Sequence, residues 1–528
     1  MSSFNLKRVR KNIAILFILF FAFAFIDFSN SFSPKFISWI LYLQFTPSII
    51  KFIKVGGIMA TGFIVVLILT FLFGRIYCSA LCPLGILQDL MGRLQIKKTR
   101  YKFLKPWNII RYTTLAIVVI AAFSGSLFLL YLLDPYSFAG RIFSDLFRPI
   151  YFSANNLVVK IFELLNIYAL HHVSFKGNWR ELALVGGFAV ALFVVVLRWG
   201  RLFCNTFCPV GAILSLVSKY SLFRLKIDDS ACTFCNRCVK DCKATCIDIK
   251  KQEIDFSRCV ACYNCIDSCK ERGISYRFAY SSKKNTEKEI VNTSRRSFLT
   301  TSTGILVGST LVGSSIKSYA QSIDLKQNNT KQKRTPGSVP NERSAPITPP
   351  GSISIKNFQN ACTACHLCVT ACPTAVLQPS LMEYGFFGML QPHMDFRSGF
   401  CNFECTLCSN ICPTGAIRPL QLDAKKQTQA GIARFHKANC IVHVDRTDCG
   451  ACSEHCPTKA VHMIPYKGLF LPEVREDLCI GCGACEYACP TKPYKAIYVN
   501  GNPVHLVAEL PEEIDEESKS SEMEEFPF

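Results

Sequence analysis

Cysteine spacing restricts this chain more tightly than any other feature, because most of its 29 cysteines fall into six short groups. The first two groups are Cys232-x-x-Cys235-x-x-Cys238-x-x-x-Cys242 and Cys259-x-x-Cys262-x-x-Cys265-x-x-x-Cys269. Three thiols on one tight loop can hold one face of an iron–sulfur cube. A fourth, leaving on a helical turn, reaches a neighbouring cube, and this is the bacterial two-cluster spacing. It assigns Cys232, Cys235, Cys238 and Cys269 to one [4Fe-4S] cluster, and Cys259, Cys262, Cys265 and Cys242 to another. Structural zinc uses two separated cysteine pairs instead. Lys243 and Lys270 stand where proline usually follows the last cysteine, and a cation beside a cluster raises its potential. Cys246 is left over and reads as a bystander.

Four more groups follow. Cys362, Cys365, Cys368 and Cys372 form a regular run before Pro373. Cys401, Cys405, Cys408 and Cys412 have one wider gap, and Cys440 stands apart from Cys449, Cys452 and Cys456. Cys479, Cys482, Cys485 and Cys489 are regular again before Pro490. A disulfide framework would not repeat C-x-x-x-C-P four times, so four further [4Fe-4S] clusters are expected, making six. With the regular runs outside and the irregular ones inside, the expectation is nested cross-ligation. Cys489 then completes the Cys362 group, and Cys372 the Cys479 group.

The first half is built differently. Half of all residues are hydrophobic, with 42 phenylalanines, which are membrane-protein values. Ile13–Phe28, Val55–Phe73, Tyr112–Leu133 and Leu182–Leu197 are apolar enough to cross a bilayer core of roughly 30 Å, predicting four spans. The net charge of +21 does not mean nucleic acid, because the basic residues flank these apolar segments. Lys7 to Lys11, Arg93 to Lys105 and Arg198 to Lys226 therefore face the cytoplasm. The loops 29–54 and 134–180 then face the periplasm, the second lying partly along the membrane interface. Gly74-Arg75-Ile76-Tyr77-Cys78-x-x-x-Cys82-Pro83 recurs as Gly200-Arg201-Leu202-Phe203-Cys204-x-x-x-Cys208-Pro209, an internal repeat. Its four thiols could converge to bind a metal or cluster, or act as redox dithiols. None of the 9 histidines lies in a predicted span, which argues against a b-type haem.

Between the halves stands Arg295-Arg296-Ser297-Phe298-Leu299, followed by a weakly apolar Gly/Ser/Thr run that ends near Ser318-Tyr319-Ala320. This reads as a twin-arginine export signal, either cut or retained as a fifth span. The resulting plan is a helical membrane domain (1–220), a cytoplasmic two-cluster ferredoxin domain (221–283), the signal (284–320) and a flexible linker (321–352). A periplasmic four-cluster domain of α+β ferredoxin-like type (353–506) and an acidic tail (507–528) complete it.

These motifs carry a family resemblance over nearly the whole chain. Residues 1 to about 280 resemble NapH, and residues 291 to 506 resemble NapG, the membrane and exported subunits of a quinol dehydrogenase. MauN and MauM share the pattern. The fusion into one chain, with an internal signal, departs from it. The resemblance implies a multi-pass protein of the bacterial inner membrane, with quinol as electron donor. It also implies a periplasmic cytochrome or reductase as acceptor, nitrate reductase type first. No nucleotide fingerprint or acid–base pair points to other chemistry. The alternative is a redox assembly factor for a metalloenzyme of the nitrous oxide reductase or cytochrome oxidase type.

Overall fold

The computed structural model describes residues 4–26, 33–94, 101–169, 171–173, 177, 179–280 and 335–510. The twin-arginine segment, its apolar run and cleavage site, and the tail beyond Leu510 lie outside these residues.

The membrane half is helical. Among the described residues, Leu6–Ile26 and Trp179–Trp199 are the helices long and apolar enough to cross a bilayer. Pro34–Leu41 and Phe45–Lys54, bent by 109°, make a third crossing if read as one broken span. The other two windows expected to span are cut short by glycine. Gly56 and Gly57 (φ 72° and 86°) and Gly125 (φ 90°) adopt left-handed backbone that stops a helix. What remains is Gly62–Phe73 and Asn108–Phe123, of 12 and 16 residues. Those are about 18 and 24 Å long against a core of about 30 Å. The segment expected to lie partly along the interface is helical from Pro135 to Leu164, through a π-helical stretch at Ile142–Phe147. Its first part packs into the bundle, with Phe143 and Phe21 at 5.5 Å between ring centroids.

One small cluster domain caps one end of these helices. Its strand Phe223–Ile227 pairs antiparallel with Ile274–Phe278. Its helices Arg237–Lys240 and Asn264–Ser268 pack against each other. Contacts gather at the ends of the bundle helices. Lys7 Nζ pairs with Asp267 at 2.5 Å, and the Tyr276 hydroxyl donates to the Phe73 carbonyl at 3.1 Å. Arg258 donates to the Leu104 carbonyl at 2.8 Å, and the Arg201 backbone N–H to the Lys243 carbonyl at 3.0 Å.

The C-terminal domain caps the other end. Here the buried Tyr131 hydroxyl donates to the carbonyls of Phe387 and Met389 at 3.1 and 2.8 Å, and Arg148 donates to the Thr370 carbonyl at 2.9 Å. Ile50, Leu127 and Tyr131 belong to the same apolar core as Phe358, Phe396 and Ile497. That core lies under the antiparallel pair Thr428–Phe435 and Ile497–Val507 and the hairpin Val461–Tyr466/Leu469–Val474. The end of the expected linker is not a free tether. Ile347 and Thr348 are buried, and the Ile347 carbonyl accepts from Met394 N at 2.9 Å.

Candidate iron–sulfur sites

Each regular cysteine run folds as the spacing demands. Left-handed residues alternate between its thiols: Phe234 and Asn236, Ala261 and Tyr263, Ala364 and His366, Gly481 and Gly483. They curl the loop so that its N–H groups face inward, as where Ala364 N donates to Cys362 Sγ at 3.4 Å. A short helix follows, carrying the third cysteine and ending at the fourth; Leu367–Ala371 and Ala484–Ala488 are examples.

The thiols gather in fours. Cys232, Cys235, Cys238 and Cys269 line one cavity of about 170 Å³. Cys265 has Cys259, Cys262 and Cys242 as charge neighbours. In the C-terminal domain Cys362, Cys365 and Cys368 face Cys412, while Cys401 and Cys408 face Cys372. Cys440, Cys449, Cys452 and Cys489 line a second cavity, and Cys479, Cys482 and Cys485 face Cys456. This overturns the nested expectation. The order is sequential because helices Leu367–Ala371 and Leu407–Ile411 pack side by side, as do Ala451–Glu454 and Ala484–Ala488. The two pairs meet where Cys401 N donates to the Cys482 carbonyl at 2.9 Å. The four groups therefore form a line from the Cys362 group to the Cys440 group.

The donor chemistry fits iron–sulfur cubes. Every group is all-thiol, and among the described residues no His, Cys, Asp or Glu set is arranged to hold a single metal ion. Burial pushes the free thiols of Cys362 and Cys368 well above their usual range. Cys246, outside the six groups, is buried with its sulfur 3.6 Å from Cys242 Sγ.

The Cys362 group rests directly on the membrane helices. The buried hydroxyl of Tyr136 sits beside the Cys365 thiol and has no hydrogen-bond partner among the described residues. Phe21 and Phe25, stacked at 4.6 Å, flank Tyr136. His366 is fully buried, with Nδ1 2.9 Å from Asp145 Oδ2 and Nε2 2.9 Å from the Leu390 carbonyl. None of these residues stands out in the sequence, because each acts across the contact between halves.

The two membrane motifs are brought face to face by their arginines. Arg75 of the first copy donates to the Cys204 carbonyl (3.2 Å) and to Asn205 Oδ1 (2.8 Å) of the second. Arg201 of the second donates to the Cys78 and Gly85 carbonyls of the first, at 2.6 and 2.9 Å. The Cys204 thiol donates to Gln88 Oε1 at 3.1 Å. Asp89 receives Arg201, Lys243 and Arg10 at 2.8, 3.3 and 3.4 Å. Burial alone would raise this carboxyl, but Arg201 and Lys243 outweigh it and hold it down at about 2. Gly74 and Gly200 open each motif with left-handed backbone, and a Cβ at either would lie 2.5 Å from Phe256 or from the Lys243 carbonyl. The Gly-Arg pair recurring before each C-x-x-x-C was the legible signal for these two arginines.

Comparison with known families agrees with this chemistry. Residues 55–101 and 182–228 each match a 4Fe-4S binding domain, residues 445–493 a 4Fe-4S dicluster domain, and residues 256–276 and 359–375 a further 4Fe-4S binding domain. Two uncharacterized proteins of Methanocaldococcus jannaschii, MJ0749 and MJ0750, are each 28% identical, over 38% and 36% of this chain. The aligned parts span 65% and 69% of those relatives. YccM of Escherichia coli, whose name assigns it provisionally to electron transport, is 24% identical over 33% of this chain and 43% of its own length. No solved structure matches the chain. The chain carries several 4Fe-4S domains of the ferredoxin type, and two or three of its described helices are long and apolar enough to cross a membrane.

Proposed function

We propose that this protein takes electrons from quinol and passes them through its clusters to a cytochrome or reductase on the periplasmic face, nitrate reductase type first. The observation that carries this reading is the placement of the cluster groups at opposite ends of one helical body. The first helix runs from Lys7, paired with Asp267 of the two-cluster domain, to Phe25, beside Tyr136 under Cys365. The rise between those residues is about 27 Å. The basic end, with Lys7, Arg8, Arg10 and Arg93, is the cytoplasmic one by the positive-inside rule. The C-terminal domain then lies in the periplasm, as the twin-arginine segment requires.

In this reading each [4Fe-4S] cluster, when bound, carries one electron at a time. The chain's own residues do the rest: they fix the order of the groups, keep water from them and seat the first exported group on the membrane. Electrons leave from the Cys440 group, at the far end of the line. The test is anaerobic mixing of the detergent-solubilised protein with a reduced menaquinone analogue. The iron–sulfur absorbance is expected to bleach and to recover on adding an oxidised periplasmic cytochrome. Clusters present by iron analysis that stay oxidised with quinol would refute the donor.

A further inference from the structure

The membrane thiols lie between the two cluster domains, and the charges around them do not balance. Arg75 is fully buried, yet among the described residues no carboxylate lies within ion-pair distance of it. Its hydrogen bonds go to Asn205, to the Ser257 and Cys204 carbonyls, and to Cys78 Sγ at 3.8 Å. Nearby, the single carboxylate of Asp89 is shared by Arg10, Arg201 and Lys243. Leaving a guanidinium buried without a compensating anion is strongly unfavourable. Among the described residues, the acidic groups that act most strongly on Arg75 are the thiols of Cys78, Cys204 and Cys208. Cys82 completes the set, having Cys78 and Cys204 as charge neighbours, and Cys208 has all three others.

Three occupants of this site differ in charge. Four neutral thiols or two disulfides would leave Arg75 unmatched. A cluster held by four thiolates carries net negative charge and matches both arginines. Each 4Fe-4S family match over the membrane half contains only two cysteines of its C-x-x-x-C motif, so neither copy suffices alone. The crossed hydrogen bonds of Arg75 and Arg201 set the copies together.

We propose that Cys78, Cys82, Cys204 and Cys208 jointly hold one further iron–sulfur cluster, shared by the two repeats, with Arg75 and Arg201 as positioning residues that balance its charge. On the relay reading, this cluster accepts one electron from the Cys259 group, which is oxidised. It gives that electron to the Cys362 group, which is reduced, and no proton moves. Arg201 and Lys243 both lie within charge range of Cys262, so the inner cytoplasmic group adjoins the site.

The experiment is iron and acid-labile sulfide analysis, with low-temperature EPR, on the full chain and on a Cys82→Ser/Cys208→Ser variant. The full chain is expected to hold more iron than six four-iron clusters account for. The variant is expected to lose one cluster's worth of iron and one reduced-state signal while the others persist. Should that variant fail to fold, Arg75→Gln gives the second readout: the midpoint potential of one centre falls and the rest hold. Iron at the six-cluster level, or disulfides among these four cysteines by mass spectrometry, would overturn the proposal. Quinol bleaching with only six clusters would sink this inference and spare the relay. A seventh cluster in a protein that quinol cannot reduce would do the reverse.

Discussion

Replacing Asp89 by asparagine is expected to cost about 3–5 kcal/mol, because removing one partner of a buried ion pair strands the other charge. Here three cations are stranded at once. Arg10 comes from the first helix, Arg201 from the second membrane motif and Lys243 from the two-cluster domain, so the carboxylate ties three parts of the fold. Because its folded-state pKa is depressed to about 2, the stabilisation is fully present above the ordinary carboxylate range. It is lost only as the pH falls towards 2. Thermal unfolding of the detergent-solubilised variant, compared with wild type at neutral pH, reads the effect. A loss below about 1 kcal/mol, as for an exposed ion pair, would show that the three cations find other partners.

Valine at Gly211 is expected to be nearly as damaging. Even its Cβ would lie 2.2 Å from the Cys204 carbonyl oxygen and 2.9 Å from Arg75 Nη2. The first obstacle is backbone and the second is a buried guanidinium, so neither can swing aside. Overpacking of this kind costs about 1–3 kcal/mol. Gly85 is its repeat counterpart, with a Cβ position 2.2 Å from the Cys78 carbonyl and 3.3 Å from Arg201 Nη1. Both variants are expected to unfold earlier and to bind less iron in the membrane half. Unchanged iron content and melting temperature in Gly211→Val would mean that the two motifs are not locked as described.

What could be read from the sequence follows from how local each cause is. A cysteine run bends its own loop, so the six groups, including those at Cys232 and Cys259, were legible from spacing alone. Which run completes which depends on helices packing side by side. Symmetry of spacing suggested nesting, whereas the pairing of Leu367–Ala371 with Leu407–Ile411 makes it sequential. Hydropathy found the apolar windows but not their true lengths, because Gly56, Gly57 and Gly125 weigh little in an average and stop a helix outright. The roles of Asp89, Tyr136 and His366 were illegible, since their partners lie in distant parts of the chain. Arg75 and Arg201 were visible as a repeat, but nothing in one sequence shows that each reaches across to the other copy.

The central claim is that one chain carries electrons from one membrane face to the other. Its most direct test uses sealed vesicles containing the full protein, with oxidised cytochrome trapped inside and an impermeant reductant added outside. Only molecules whose Cys232–Cys269 domain faces outward are offered electrons at that end. The account predicts reduction of the enclosed cytochrome, abolished in Cys82→Ser/Cys208→Ser. Bleaching of the outward clusters while the enclosed cytochrome stays oxidised would contradict it.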